Sequence, residues 1–235
     1  MKFLKNNRAP LLFFVALTVT IAACIFLMRY YKVDRIEVVA SRQNLPLIGI
    51  DNYYGKNIVF LSEEELKRSI YDNNPLLKKV SVKKIFPSKL VVTIEENQPL
   101  AYLLVDRGYF ILSNEGRIIE KTKDLGSNKP IINYYQKLTY GSFQAGDKID
   151  LKDIITALHF TEGVEGLGLP VLSIDIDGFD MIRLQLENKM ILFTTEKDVR
   201  DQDYQLETLI RQFKVEGRDF KTLDLRFDKP IVTLK

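Results

Sequence analysis

The sequence has very few of the residues that disulfide-bonded proteins and many enzymes require. Among 235 residues there is one cysteine, Cys24, one histidine, His159, and no tryptophan. A disulfide needs two cysteines, and zinc sites or Cys/His catalytic pairs need several of these residues. A disulfide framework and Cys/His chemistry are therefore excluded.

An excess of positive charge is also missing from the body of the chain. The net charge of +3 comes entirely from Lys2, Lys5 and Arg8, since the other 31 basic residues are balanced by 31 acidic ones. Proteins that bind nucleic acid concentrate Lys and Arg to neutralise phosphates. We expect no nucleic-acid partner. The 46% of apolar residues predict a folded chain with a substantial core.

One long apolar run stands near the N-terminus. Residues 9–28 contain twenty positions without a charge, between Arg8 and Arg29. As a helix this run measures about 30 Å, which spans a bilayer core. It exceeds the apolar region of a cleavable signal peptide. The sequence predicts a transmembrane helix at 9–28 after a tail at 1–8.

The attachment and orientation of this segment have alternatives. Ile21 to Cys24 resembles the lipobox of bacterial lipoproteins, but apolar residues continue to Met28, which favours a membrane helix. Basic residues are equally numerous on both sides of the run. Long domains translocate largely regardless of charge, so we expect a cytoplasmic N-terminus and an extracytoplasmic body.

The next segment has the pattern of a small strand–helix–hairpin unit. Residues 35–38 alternate charged and apolar positions, as in a half-buried strand. Ser62 to Glu65 fits a capping box at the start of a helix. Residues 80–86 and 90–95 then predict two strands joined by a turn at Pro87.

The remainder predicts a β-rich region with two amphipathic helices. The helices are expected at 151–160 and 204–213, where apolar residues recur at helical spacing. The expected strands are 101–105, 109–112, 117–120, 171–176, 181–186, 190–194, 223–227 and 231–234. The fold class is therefore α+β.

Two segments superficially resemble ligand-binding loops. Asp175 to Asp180 is acidic, but its glycine falls at the fourth position, whereas a calcium loop needs it at the sixth. Gly163, Gly166 and Gly168 follow a helix, whereas a phosphate-binding loop follows a strand and opens a helix. We predict no metal and no cofactor.

No catalytic group is recognisable either. His159 lies at the end of a predicted helix, where we expect it to pack or to cap a carbonyl. Glu95 and Glu96 are neighbours on a strand and point to opposite faces, so they cannot share a proton. We therefore expect no enzymatic activity and no small-molecule substrate.

Several short motifs resemble the bacterial cell-division family FtsQ/DivIB. Gly55 to Asn57 is similar to the family's turn before the POTRA helix, and Phe86-Pro87 is similar to its hairpin. Pro99 and Ala101 resemble its exit segment, and Leu223 to Phe227 resembles its terminal strand, with Phe227 in place of the usual tyrosine. Their order along the chain strengthens the resemblance.

The resemblance implies a POTRA domain of β-α-β-β type at 29–98 and a β domain at 99–235. It further implies a non-catalytic scaffold of the division septum in the cell inner membrane, which binds FtsB/DivIC-type and FtsL-type proteins. A final strand leaves a sheet edge for β-augmentation by a partner strand. The candidate partner-binding residues are Arg226, Phe227, Pro230, Ile231, Val232, Thr233 and Leu234.

Two alternative functions share the same anchor. A membrane-tethered hydrolase of the cell envelope would need a nucleophile and base or paired carboxylates. A POTRA-containing envelope assembly factor would be expected to precede a membrane barrel, whose strands alternate over about ten residues. The strands after residue 98 lack that repeated pattern.

Overall fold

The computed structural model describes residues 8–40, 46–126, 128–178 and 180–235, with side chains in the first helix described from residue 13. The predicted tail therefore lies outside the described residues, apart from Arg8, and so does Phe179 of the acidic segment. The chain divides into two units, 1–96 and 97–235.

The first unit begins with helix α1, Arg8–Tyr30. Its segment Phe13–Tyr30 is long and apolar enough to cross a membrane, and none of it is buried against the rest of the protein. Cys24 is exposed on this helix. Such an unpartnered apolar surface is typical of a helix that faces lipid.

A small α+β domain follows α1 in the same unit. It contains strand β1 (Arg35–Val39), helix α2 (Glu63–Asn73), strand β2 (Leu77–Ile85) and strand β3 (Lys89–Glu96). Ser62 caps α2, because its side chain accepts a hydrogen bond from the backbone N–H of Glu65 at 3.4 Å. The predicted order of strand, helix and hairpin is confirmed.

The three strands form one sheet in which β3 lies in the centre. β3 pairs in parallel with β1 and antiparallel with β2. Two small apolar clusters fill the space beneath α2, one around Ile70 and Val92 and one around Leu66 and Leu90. The alternating burial along β3 places its apolar residues on the helix side.

The second unit contains the remaining described strands and α-helices. They are β4 (Ala101–Val105), β5 (Gly108–Leu112), β6 (Ile118–Thr122), β7 (Ile131–Tyr134), α3 (Lys152–Gly166), β8 (Ser173–Asp177), β9 (Met181–Gln185), β10 (Met190–Thr194), α4 (Val199–Glu216), β11 (Phe220–Asp224) and β12 (Ile231–Leu234). In the described residues these strands form a single sheet in the order β12-β11-β10-β9-β8-β7-β4-β5-β6. The predicted α+β class is confirmed.

One face of this sheet carries the core. Paired positions such as Ile182 and Phe193 are fully buried, while Arg183 and Leu192 beside them are partly exposed. Helix α3 packs on the buried face through Phe160, whose ring stacks on that of Phe193 with centroids 3.9 Å apart. Stacked aromatic rings add to the burial energy of such a core.

Candidate partner-binding edge

The chain ends in a strand at the edge of the larger sheet. β12 pairs antiparallel with β11, so that Ile231 lies opposite Asp224 and Val232 opposite Leu223. Within the described residues no strand pairs with the outer side of β12. Ile231 and Leu234 remain 56% and 47% exposed. The strand that the sequence predicts at 231–234 is therefore an edge strand.

Two hydrogen bonds determine which backbone groups of β12 face outward. Lys235 N donates to Asp219 O at 3.1 Å, and Leu225 N donates to Leu192 O on the other side of β11 at 2.9 Å. Backbone groups alternate in direction along a strand. The backbone N–H and C=O groups of Thr233 therefore face β11, in the same direction as the N–H of Lys235. The backbone N–H and C=O groups of Val232 and Leu234 face outward.

The side chains of β12 divide between the two faces of the sheet. Val232 is partly buried and packs against the main core, opposite the fully buried Leu223. Ile231 and Thr233 point to the other face, since successive residues of a strand alternate. A strand added beside β12 would therefore meet apolar side chains on both faces.

Arg226 and Phe227 do not continue the preceding strand. The sequence predicts a strand at 223–227, but β11 ends at Asp224. Arg226 N donates to Asp224 Oδ1 at 3.2 Å, and this local bond turns the chain away from the sheet. The predicted end of this strand was wrong by three residues. Arg226, Phe227 and Pro230 lie instead in the connection that leads to β12.

The Arg226 guanidinium forms a bidentate pair with Asp224. Nε lies 2.9 Å from Oδ1 and Nη2 lies 2.7 Å from Oδ2. Burial alone raises the pKa of Asp224, but the hydrogen bonds from Arg226 outweigh it and hold that pKa below its ordinary value. The same hydrogen bonds raise the pKa of Arg226. The guanidinium also lies against the Phe227 ring, 5.5 Å from its centroid.

Two residues that the sequence analysis did not single out hold this connection in place. Lys197 Nζ donates to Phe227 O at 2.7 Å and to Leu225 O at 3.3 Å. Gln205 Nε2, on α4, donates to Asp228 O at 2.9 Å. Their partners lie more than twenty residues away, so no local pattern in the sequence indicates them.

A second ionic cluster fastens the far end of β12. Asp219 Oδ1 lies 2.6 Å from Lys189 Nζ, and Asp219 Oδ2 lies 3.0 Å from Lys235 Nζ. The hydrogen bonds from these two lysines lower the pKa of Asp219 to about 2. β12 is thus held by side chains at both its beginning and its end.

A shallow depression of about 440 Å³ lies beside the start of the terminal segment. It is lined by Asp180, Thr194, Glu196, Lys197, Arg226, Phe227 and Asp228. The half-exposed ring of Phe227 contributes an apolar wall among charged groups. Such a recess has the size and mixed chemistry to receive a side chain of a partner protein.

The segments considered above as catalytic or metal-binding have other partners. His159 lies within α3 rather than at its end, and its Nε2 is 2.7 Å from Asp203 Oδ2 on α4 instead of capping a carbonyl. Arg183 pairs with Asp177 at 3.0 Å and approaches Asp175 at 3.9 Å. No group of three metal-ligating residues occurs within the described part of the chain.

Comparison with known proteins supports one family. Residues 40–97 match the family model of the POTRA domain, FtsQ-type. The cell division protein DivIB of Clostridium botulinum is 26% identical over 151 residues, which are 63% of this chain and 57% of that protein. DivIB of Clostridium tetani is 21% identical over 188 residues, which are 76% of this chain and 69% of that protein.

The chain thus spans about 57% of the length of the C. botulinum relative. The family model covers the helix and the hairpin of the unit that follows α1 and begins directly after β1, and the DivIB relatives cover more of the chain than that unit alone. The apolar helix, the POTRA domain and the β-rich second unit occur in the order that the motifs indicated. These matches identify residues 40–97 as a POTRA domain of FtsQ type and show that the chain is similar to the DivIB cell-division proteins.

Proposed function

We propose that this protein is a non-catalytic scaffold of the division septum. α1 anchors it in the cell inner membrane with the N-terminus in the cytoplasm. Its two domains, 29–98 and 99–235, lie outside the cytoplasm, and the POTRA domain contributes to localisation. The second domain binds FtsB/DivIC-type and FtsL-type division proteins by β-augmentation at β12.

The observation that carries this proposal is the free outer side of β12. Val232 and Leu234 direct their backbone N–H and C=O groups away from β11, as inferred from the bonds at Lys235 and Leu225. An added strand would satisfy these groups and place its own side chains against Ile231 and Leu234.

The preorganisation of β12 by surrounding side chains also supports binding of a partner at this edge. Lys197 and Gln205 hold the chain before β12, and Asp219 holds Lys235 after it. A strand that is already fixed loses little conformational entropy when a partner binds. The short strand can therefore act as a rigid template for a longer partner segment.

Proline substitution at adjacent positions tests the proposal. Leu234→Pro removes an outward N–H, so we expect the midpoint of thermal unfolding to stay nearly unchanged while affinity for a purified DivIC/FtsL-type pair falls at least about tenfold, or about 1.4 kcal/mol. Thr233→Pro removes an inward N–H and should destabilise the second domain by about 1 to 3 kcal/mol.

Val232→Pro belongs with Leu234→Pro in this test, because its N–H also faces outward. Its side chain is partly buried against the core, so a modest loss of stability should accompany the loss of binding. Calorimetric titration and circular dichroism on the same preparations separate the two effects. Normal partner affinity in folded Leu234→Pro and Val232→Pro variants contradicts augmentation at β12.

A further inference from the structure

Several exposed apolar side chains of the POTRA unit lie close to the end of α1. Phe60 is 79% exposed, Phe86 is 56%, Tyr30 is 53% and Val59 is 47%. We call these four residues the juxtamembrane patch. Single exposed apolar residues are ordinary on protein surfaces, but a group drawn from three separate segments needs a partner.

The backbone shows where Val59 and Phe60 lie. Lys32 and Asn57 form an antiparallel bridge, with Val33 N donating to Lys56 O and Ile58 N donating to Tyr31 O, both at 2.8 Å. Because the two segments run in opposite directions, the chain leaves the membrane helix through residues 31–33 and returns toward it through 56–60.

The side chain of Asn57 confirms this return. Its Nδ2 donates to Met28 O, inside the last turn of α1, at 3.4 Å. Phe60 follows Ile58 by two residues, so their Cα atoms are at most about 7.6 Å apart. Val59 and Phe60 therefore lie beside the end of the helix.

Phe86 reaches the same place from the β2–β3 turn. Its ring packs edge-on against the ring of Tyr31, with centroids 6.1 Å apart. Asp34 N donates to Ser88 O at 2.9 Å, which fixes this turn beside the segment that leaves α1. Tyr31 in turn packs against Tyr30, the last residue of the helix.

We propose that the juxtamembrane patch inserts into the interface of the bilayer that α1 spans, with its rings reaching the acyl chains just below the headgroups. Aromatic side chains favour this region, where an apolar ring is buried and the chain remains near water. Loop and turn residues that enter the interface beside a membrane helix would hold the POTRA domain against the lipid surface. The inference rests on the proposed membrane anchoring by α1.

The absence of tryptophan permits a direct test, since one introduced tryptophan is the sole indole of the full chain. The full-length Phe60→Trp protein is reconstituted in dioleoyl phosphatidylcholine vesicles and in vesicles of the same lipid brominated at its double bonds. Bromine quenches only indoles that contact the acyl region. We expect blue-shifted emission from Phe60→Trp and strong quenching by the brominated lipid.

Two further variants make the result specific. Met28→Trp lies in α1 and should be quenched. Ile48→Trp replaces a side chain that is 66% exposed at the opposite end of the POTRA sheet, where Ile48 N donates to Asn74 Oδ1. Leu77 lies at this end of the sheet and pairs with Glu96. Glu96 is about 23 Å along β3 from Lys89, which lies at the other end of that strand. Ile48→Trp should emit as a water-exposed indole without quenching.

The outcomes separate the two proposals. Quenching of Met28→Trp without quenching of Phe60→Trp overturns the insertion of the patch and leaves the anchor intact. No quenching of either variant overturns both. Equal quenching of Phe60→Trp and Ile48→Trp also overturns the inference, because the lipid contact would then not be confined to the patch.

Discussion

At the scale of single residues, Asp224 and Arg226 show how two residues at the end of a strand form one ion pair. Asp224 is the last residue of β11 and Arg226 lies in the bend that follows it, so the turn of the chain brings the two side chains together. Here the pair also ends the strand, because the Asp224 carboxylate accepts the Arg226 N–H. The aspartate–arginine motif therefore shapes the connection to β12.

The pair predicts a pH-dependent contribution to stability. The folded-state pKa of Asp224 is lowered, so its contribution is complete above the unfolded value of about 3.9 and is lost as the pH falls through the folded pKa. We expect Asp224→Asn to lower the free energy of unfolding by about 1 to 3 kcal/mol at pH 7.

Urea unfolding across pH checks this expectation. The difference between Asp224→Asn and the parent protein should shrink below about pH 4, as the aspartate of the parent is protonated. Asp175→Asn serves as a control, since that carboxylate lies farther from its arginine, at 3.9 Å. A difference for Asp224→Asn that stays constant from pH 7 to pH 2 would exclude the ionic origin.

At the scale of elements, helix α4 and the residues just before it position the terminal strand. Lys197 precedes α4 and binds two carbonyl oxygens of the connection, and Gln205 on α4 binds a third. We expect Lys197→Met, which retains the aliphatic stem, to destabilise the second domain by about 1 to 2 kcal/mol and to weaken partner binding.

Lys221→Met provides the matched control for this element. Lys221 is exposed on β11, next to the same terminal strand. Its replacement should change neither the unfolding midpoint nor the affinity for the DivIC/FtsL-type pair by a measurable amount. Equal effects of the two substitutions would mean that loss of any nearby positive charge, rather than the carbonyl contacts of Lys197, is responsible.

The same scale shows what could be predicted from the sequence. Strands such as β9 and β10 are rich in apolar residues and are joined by a short turn, so their sequence pattern is local and recognisable. β7 was missed, because it has only four residues and pairs in parallel with β4 and β8, which are distant in the chain.

The candidate site was partly predictable for a related reason. The position of residues 231–234 as a final strand followed from their composition and from Pro230 before them. The contacts of Lys197 and Gln205 depend on how α4 packs beside the sheet, and no spacing in the sequence encodes this. The end of β11 was misplaced because a side-chain bond of Asp224 replaces a ladder bond.

At the scale of the whole molecule, we expect both domains to lie on the opposite side of the membrane from the N-terminus. In a Cys24→Ala background, a cysteine introduced at Val215, which is 83% exposed, should react with a membrane-impermeant thiol reagent in intact cells from which any wall barrier has been removed. A cysteine at Asn6 should react only after the membrane is made permeable.

The two other labelling patterns have defined meanings. Reaction of Asn6→Cys alone in intact cells would reverse the topology. Reaction of both positions before permeabilisation would place the tail and the body on the same side and exclude α1 as a single span. Val215 is used because it lies within the described residues and is highly exposed.

The most direct test of the central claim is amide hydrogen exchange of β12 in the presence of the partner. In the free protein the amide of Thr233 should be protected by β11, while those of Val232 and Leu234 exchange freely. Saturation with the DivIC/FtsL-type pair should protect Val232 and Leu234 strongly. A bound complex in which these two amides exchange as fast as in the free protein would contradict β-augmentation at the terminal strand.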